Sequence, residues 1–447
     1  MRADSVRRAL RLGACTTLAA GLVTLGLTTA PAFAETEPET DQLWINAPYE
    51  PTLPLGINGG TPLTRTLDVR LSHDNDHFTV TDGRLTVDAS GLAGVAEITW
   101  PDNCTPSGAT AVCDVPEVPG TGNTGGEVHL KVRAADGASV GAQGRITFEA
   151  TATGGPDGTL TAPRDSFETT VTVASGPDLA LTAGKDIEHA RPGSKQKLPL
   201  TLTNHGNETA HGFTIRMMAS YGVQYLNRYD SCTYTTSSGD EYAPMSYADC
   251  TFAQDLAPGA SFKLPQPLRV ALTRQALQER VDISADPVGA TNLGGYNSYV
   301  ALQIGADNTA DFSVTGAAVQ GAAGETVTAS LTFRNNGPGW LGNLGSGDPV
   351  AAVRLIVPPG TTVTGVPEGC GPRTLSGSYY PNRTGAPRYD CSLPYWVLEN
   401  TERSFAFKLR IDTVVPGATG EVSIHPEFGE FRHDPNPRNN TAVLTVN

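Results

Sequence analysis

Phe405-Ala406-Phe407-Lys408-Leu409-Arg410-Ile411 alternates apolar and polar side chains without a break, and that alternation decides the fold. Successive side chains of a strand point to opposite faces, so a period of two marks a strand buried on one side. Glu127-Val128-His129-Leu130-Lys131-Val132-Arg133 and Leu268-Arg269-Val270-Ala271-Leu272 read the same way. Each of the three follows the second cysteine of a local pair: Cys104 and Cys113, Cys232 and Cys250, Cys370 and Cys391. A repeat of this length and order implies three copies of one supersecondary plan.

The rest of each copy can be traced outward. Before the first cysteine stand the extended segments 95–101, 223–226 and 363–367. After the alternating strand come Arg145–Ala150, Arg280–Ser284 and Gly420–Ile424, then closing strands such as Thr170–Val173, Tyr299–Leu302 and Ala442–Val446. The second and third copies open alike. Asp178-Leu179-Ala180-Leu181 leads to alternating leucines and Asn204-His205-Gly206, and Asp311-Phe312-Ser313-Val314 leads to Asn335-Asn336-Gly337. Asn-x-Gly is expected to form a turn with positive φ, which both residue types accept. Arg274–Arg280 is expected to form two turns of helix where the other copies have a plain turn. The whole predicts an all-β chain of three tandem immunoglobulin-like sandwiches over 41–175, 176–308 and 309–447.

Residues 1–34 are expected to be a signal peptide. Arg2, Arg7, Arg8 and Arg11 precede an uncharged run, and Ala32-Phe33-Ala34 supplies a cleavage site. Residues 35–40 then form an acidic tail. Cleavage leaves 27 basic and 45 acidic residues and six cysteines. Six cysteines in an exported chain favour a disulfide framework over zinc, since no pair has close Cys-x-x-Cys spacing with matching histidines. No later apolar run reaches the ~18 residues that span a bilayer. The chain stops at Asn447 without a sorting motif, so the product is expected outside the cell, at most loosely held by the wall.

The full chain of 447 residues carries 46 acidic against 31 basic residues, a net charge of −15. Its 25 Arg and 6 Lys are scattered, which argues against nucleic acid and other polyanions. Gly (49) and Pro (33) exceed average usage of roughly 12% combined, favouring short strands and turns.

Units two and three resemble the immunoglobulin-like repeats of bacterial envelope and secreted proteins, the conserved repeat domain of unknown function and the related bacterial cell-adhesion domain. The resemblance lies in the Asp178 and Asp311 openings, the two Asn-x-Gly turns, Pro358-Pro359-Gly360, Leu256-Ala257-Pro258-Gly259 and the closing Asp434–Thr441. It covers about 270 residues well and the first unit loosely. It implies an extracellular spacer or adhesive module.

Motifs that imitate catalytic ones are read as turns. Gly137-Ala138-Ser139-Val140-Gly141 matches the nucleophile-elbow string but joins two strands. Gly120–Gly125 matches a dinucleotide string but opens a strand. His73, Asp74, Asp76 and His77, and likewise His425, Glu427, His433 and Asp434, are read as solvated polar turns rather than metal sites. Asp434, Asn436, Asn439 and Asn440 are read as capping their own turn rather than holding calcium. No catalytic residue, metal or cofactor is assigned. The alternative class is a secreted hydrolase or protease inhibitor acting on wall polymers or exported proteins.

The most unusual feature is tyrosine. Six of 13 fall between Tyr221 and Tyr247 and four between Tyr379 and Tyr395, in or beside two of the cysteine loops. Tyr234, Tyr242, Tyr379 and Tyr380 sit among Ser, Gly, Asn and Arg, the chemistry of a recognition surface. They are expected to be exposed and to meet an extracellular protein or polysaccharide. Non-reducing peptide mapping of the exported protein should find one bridge per unit, pairing neighbours in sequence. A bridge between units, or free thiols, would refute the repeat.

Overall fold

The computed structural model describes residues 39–162, 167–237, 242–293, 295–427 and 429–447. The expected signal peptide lies outside the described residues. No α-helix occurs among them, and none of their helical segments is long and apolar enough to cross a membrane. Strands pack around three apolar clusters, centred on residues such as Phe148, Phe213 and Phe407.

A common strand plan recurs around the first and third clusters, and in the second the smaller layer is split into two three-stranded sheets facing a six-stranded one. In the first, Leu43–Asn46, Thr64–His73, Glu127–Ala134 and Ala96–Thr99 form one sheet. The facing sheet runs Thr52–Pro54, Glu168–Ala174, Gln143–Thr153, Val80–Gly91, Thr110–Val118, Cys104–Ser107. The third runs Phe312–Thr315, Thr326–Asn335, Glu402–Ile411, Thr361–Gly365 against Ala318–Val319, Thr441–Val446, Ala418–Pro426, Ala351–Ile356, Arg388–Ser392, Cys370–Arg373. In every copy a short early strand switches sheets and pairs parallel with the last strand. Inward positions of the deciding strand, Phe405, Phe407, Leu409 and Ile411, are all buried.

Each disulfide joins two residues directly opposite in an antiparallel hairpin: Cys104 with Cys113, Cys232 with Cys250, and Cys370 with Cys391. The bridge therefore closes the outermost hairpin of the larger sheet, not the two sheets against each other.

Two local expectations fail. Residues 274–277 make a turn and Gln278–Pro287 is already strand. Leu277, Glu279, Val281, Ile283 and Ala285 are buried at alternate positions, so strand periodicity prevails over the helix-forming side chains. The Asn-x-Gly motifs also work differently. Neither asparagine nor glycine there has a positive φ; that conformation falls at Gly259 and Asn400, on facing segments whose N–H groups donate to the carbonyls of Asn204 and Asn335. Asn204 and Asn335 are instead fully buried clamps. Asn204 Oδ1 accepts from the backbone N–H of Asp178 (3.0 Å) and Gly206 (2.9 Å). Its Nδ2 donates to the carbonyls of Glu208 (2.7 Å) and Leu256 (2.8 Å). Asn335 Oδ1 accepts from Gly337 N (3.1 Å), and its Nδ2 donates to Gly339 O (2.9 Å) and Leu398 O (3.1 Å). The glycine is needed for close approach: a Cβ on Gly206 would lie 2.5 Å from Asp178 N, and one on Gly337 2.5 Å from Asp311 N.

His73 takes this place in the first copy. It pairs with Leu43 as Asn204 pairs with Leu179 and Asn335 with Phe312. It is buried, with Nδ1 3.0 Å from Asp41 Oδ2, so it is not part of a solvated turn.

Asn335→Ala should strand the partners Gly337 N, Gly339 O and Leu398 O, at ~1–3 kcal/mol per unsatisfied buried group. Gly337→Ala should be at least as damaging, because only backbone atoms could move aside. Urea unfolding checks both, and a midpoint unchanged from the parent would contradict the clamp.

Candidate functional site

The disulfide hairpins of the second and third copies also carry tyrosines, and that of the first carries none. In the first copy only residues 108 and 109 separate its strands, Cys104–Ser107 and Thr110–Val118. In the second, 238–244 connect Cys232–Ser237 to Met245–Leu256, and in the third, 374–387 connect Cys370–Arg373 to Arg388–Ser392. Ser238 to Glu241 of the second loop lie outside the described residues.

Tyr242 and Tyr379 stand out from these loops, 67% and 74% exposed. Tyr234 and Tyr380 do not, which corrects the expectation of four exposed rings. Tyr234 lies opposite Ala248, two residues from Cys232 and so on the inward face. Its hydroxyl accepts from Tyr229 N (3.0 Å), its ring meets Tyr225 at 5.8 Å, and the Arg228 guanidinium sits 4.7 Å above it. Tyr380 is half-buried against the third core, donating to Gly385 O at 3.2 Å.

Other tyrosines build a joint between the second and third sandwiches. Trp340 is fully buried, donates through Nε1 to Glu279 Oε1 (2.6 Å), and meets Tyr221 edge-on at 5.7 Å. The Tyr221 hydroxyl donates to Glu399 (3.1 Å), and Trp340 N donates to Gln275 O (3.1 Å). Leu277, from the second sandwich's sequence, is buried in the third core. Ala243 N donates to the Tyr395 hydroxyl at 2.8 Å, which pins the loop bearing Tyr242 to the third sandwich. The contact is made by side chains folded in from both bodies.

Glu279 lies at the centre of this joint. Burial pushes its carboxyl up, while Ser220 Oγ, Trp340 Nε1, Leu277 N and Gly222 N all donate to it and draw it back. Burial prevails, so its pKa is raised, and the group is held by hydrogen-bond donors rather than by a cation. The signal was present in sequence: in Leu277-x-Glu279-x-Val281-x-Ile283 an acid occupies an inward position. The first joint is smaller. Arg65 pairs with buried Asp178, and Thr52 Oγ1 donates to Leu293 O (2.9 Å).

The remaining candidates resolve into local structure. Among the described residues no group of three or more His, Cys, Asp or Glu is placed to hold a metal ion. Asp434 accepts from Asn436 N and Asn440 Nδ2 (both 2.9 Å), and Asn439 Nδ2 donates to Asp311 (2.9 Å). His425 is half-buried, its Nε2 3.0 Å from Arg354 Nη1; burial and then that guanidinium lower its pKa. Burial likewise lowers His433. Gly137–Gly141 and Gly120–Gly125 lie outside helices.

No protein-family model matches the chain, and no curated protein matches it in sequence. Among solved structures, it is similar to the complex of Dpr2 Ig1-Ig2 with DIP-Theta Ig1-Ig3, at 7% identity over 91% of this chain and 99% of that one, TM-score 0.25. It is similar to a putative membrane-anchored protein from Corynebacterium diphtheriae at 11% identity, 91% and 95% coverage, TM-score 0.20. FdeC, an Escherichia coli adhesin, matches at 12% identity, 92% and 98% coverage, TM-score 0.20. The strand order defines the class independently: an all-β protein of immunoglobulin-like sandwiches.

Removing Trp340 should loosen the joint, since truncating a buried Trp to Ala costs about 3–5 kcal/mol. Calorimetry of W340A should resolve a separate, earlier transition where the parent's second and third sandwiches melt together. An unchanged melting profile would show that the contact does not couple them.

Proposed function

We propose that the protein is an exported, non-catalytic adhesin or scaffold. Its three domains, 41–175, 176–308 and 309–447, present recognition loops to a protein or polysaccharide at the cell exterior. One observation carries this reading: Tyr242 and Tyr379 are exposed on corresponding loops of successive sandwiches. Large exposed aromatics are the residues that dominate binding energy when a partner covers them, and Tyr loses few rotamers in doing so. Next to Tyr242, Ala243 is held to the neighbouring body through the Tyr395 hydroxyl, and the hairpin is closed by a disulfide. Such anchoring reduces what ordering that contact costs on binding. The disulfides support an oxidising compartment.

The test is retention of labelled protein on washed producing cells and their wall fraction. Y242A/Y379A should retain the parent melting temperature and lose at least tenfold in retention. Y234A, by contrast, should lower the melting temperature, because its ring is packed. Retention unchanged in Y242A/Y379A would remove these loops from the binding surface.

A further inference from the structure

An acidic chain collects arginine at one place. On the outer face of the third sandwich's larger sheet, Arg354, Arg373 and Arg383 line an open groove of about 560 Å³. Its floor is small and flat: Ala352 and Ser392 lie opposite each other in register, and Gly371 lies opposite Asp390. Period two explains the assembly. Cys370 and Cys391 point inward, so Gly371, Arg373, Arg388 and Asp390 point out.

The charges are unequally satisfied. Asp390 accepts from Arg354 Nε (2.9 Å) and from both Nε (3.0 Å) and Nη2 (2.6 Å) of Arg388, which fixes those two guanidiniums. Its pKa is lowered: burial would raise it, and the arginine hydrogen bonds prevail. Arg373 has no side-chain hydrogen bond or ion pair among the described residues. Arg383 reaches only the carbonyls of Val366 and Pro367, each at 3.3 Å. Two exposed guanidiniums without a carboxylate thus flank a groove that a third, held rigid, underlies. Glu427 is the one acid at the rim without an arginine partner.

We infer that this groove binds an anionic saccharide through its carboxylates, with Arg373 and Arg383 as the pairing groups. Guanidinium presents a planar fork matched to carboxylate, and such pairs are strongest where one partner is pre-positioned. A saccharide fits better than a peptide because of the floor. Arg388–Ser392 and Ala351–Ile356, which form the floor, are hydrogen-bonded to neighbours on both sides, so of the strands lining the groove only Cys370–Arg373, at its margin, has a free edge for a peptide backbone. The lining offers Arg, Asp, Ser, His and Glu but no deep apolar pocket to anchor a peptide side chain. A hydroxyl-rich acid can use those polar groups. The inference gives the exterior role proposed above a ligand class at a different site from the tyrosines, so the two fail separately. It also revises the expectation drawn from net charge, which averages away a local cluster.

The full mature chain should be titrated with polygalacturonate, with neutral dextran and poly-glutamate as comparators, at low and at moderate salt. Polygalacturonate should bind, weaken as salt rises, and bind at least tenfold more weakly to R373Q/R383Q of unchanged melting temperature. E427Q should bind severalfold more tightly, and Y242A/Y379A as the parent does. Absence of polygalacturonate binding, equal binding by R373Q/R383Q, or equal binding of dextran would overturn the inference. Tighter binding of poly-glutamate would overturn the saccharide assignment in favour of an acidic peptide.

Discussion

A single buried side chain at the end of one strand decides how the second body joins the chain before it. Asn204 fills all four of its hydrogen-bonding positions with backbone: the incoming segment at Asp178, its own turn at Gly206 and Glu208, and the end of a facing-sheet strand at Leu256. An amide can do this because it has two donors and two lone pairs in one plane. The glycine two residues on lets the incoming backbone pass within contact distance. Entry path, strand end and turn are thereby fixed together. A partly satisfied clamp would strand buried polar groups in a low-dielectric interior, so little variation in this geometry is tolerated. The first copy solves the same problem with His73 and Asp41, two ionisable groups in place of one neutral amide.

Much of this architecture was legible in the sequence, and the illegible part has a common cause. Alternation located the strands because burial of one face is a property of neighbours two apart. Equivalent cysteines located the hairpins because covalent pairing is local here. What alternation could not convey is what an inward polar residue does. Asn204 and Asn335 looked like turn formers since that is how asparagine behaves when exposed, whereas both are inward and buried. Glu279 was passed over for the same reason, although its phase among Leu277, Val281 and Ile283 marked it. The rule that emerges is to treat a polar residue at an apolar phase as a connection to something distant.

The tyrosine clusters divide along the same line. Composition alone groups Tyr221, Tyr234, Tyr242 and Tyr395, yet position assigns them different work. Tyr221 and Tyr395 carry contacts between sandwiches, Tyr234 covers the hairpin, and Tyr242 is left in solvent. Only the phase relative to Cys232 separates Tyr234 from its neighbours in sequence. Tyr242 lies beyond the paired strand, where phase has no meaning, and there the polar neighbours rather than phase signalled its exposure.

These divisions bear on what the molecule can do at a surface. A body joined to its neighbour by one flexible segment loses orientational freedom each time a partner is engaged, and that loss is charged against binding. Here the second and third sandwiches already share Trp340, Glu279 and Leu277 in one buried seat. The loop bearing Tyr242 is tied across that seat by Ala243. The arginine groove lies on the same third sandwich, over a sheet whose disulfide fixes the strand carrying Arg373 to the one carrying Asp390. The spacing between an aromatic contact on one body and a cationic groove on the next is therefore set by packed side chains rather than by linker length. For two linked contacts, fixing that spacing raises the effective concentration of the second once the first is made, provided a single partner spans both. The buried joint, which contributes nothing directly to recognition, is what would make two modest surface contacts act together.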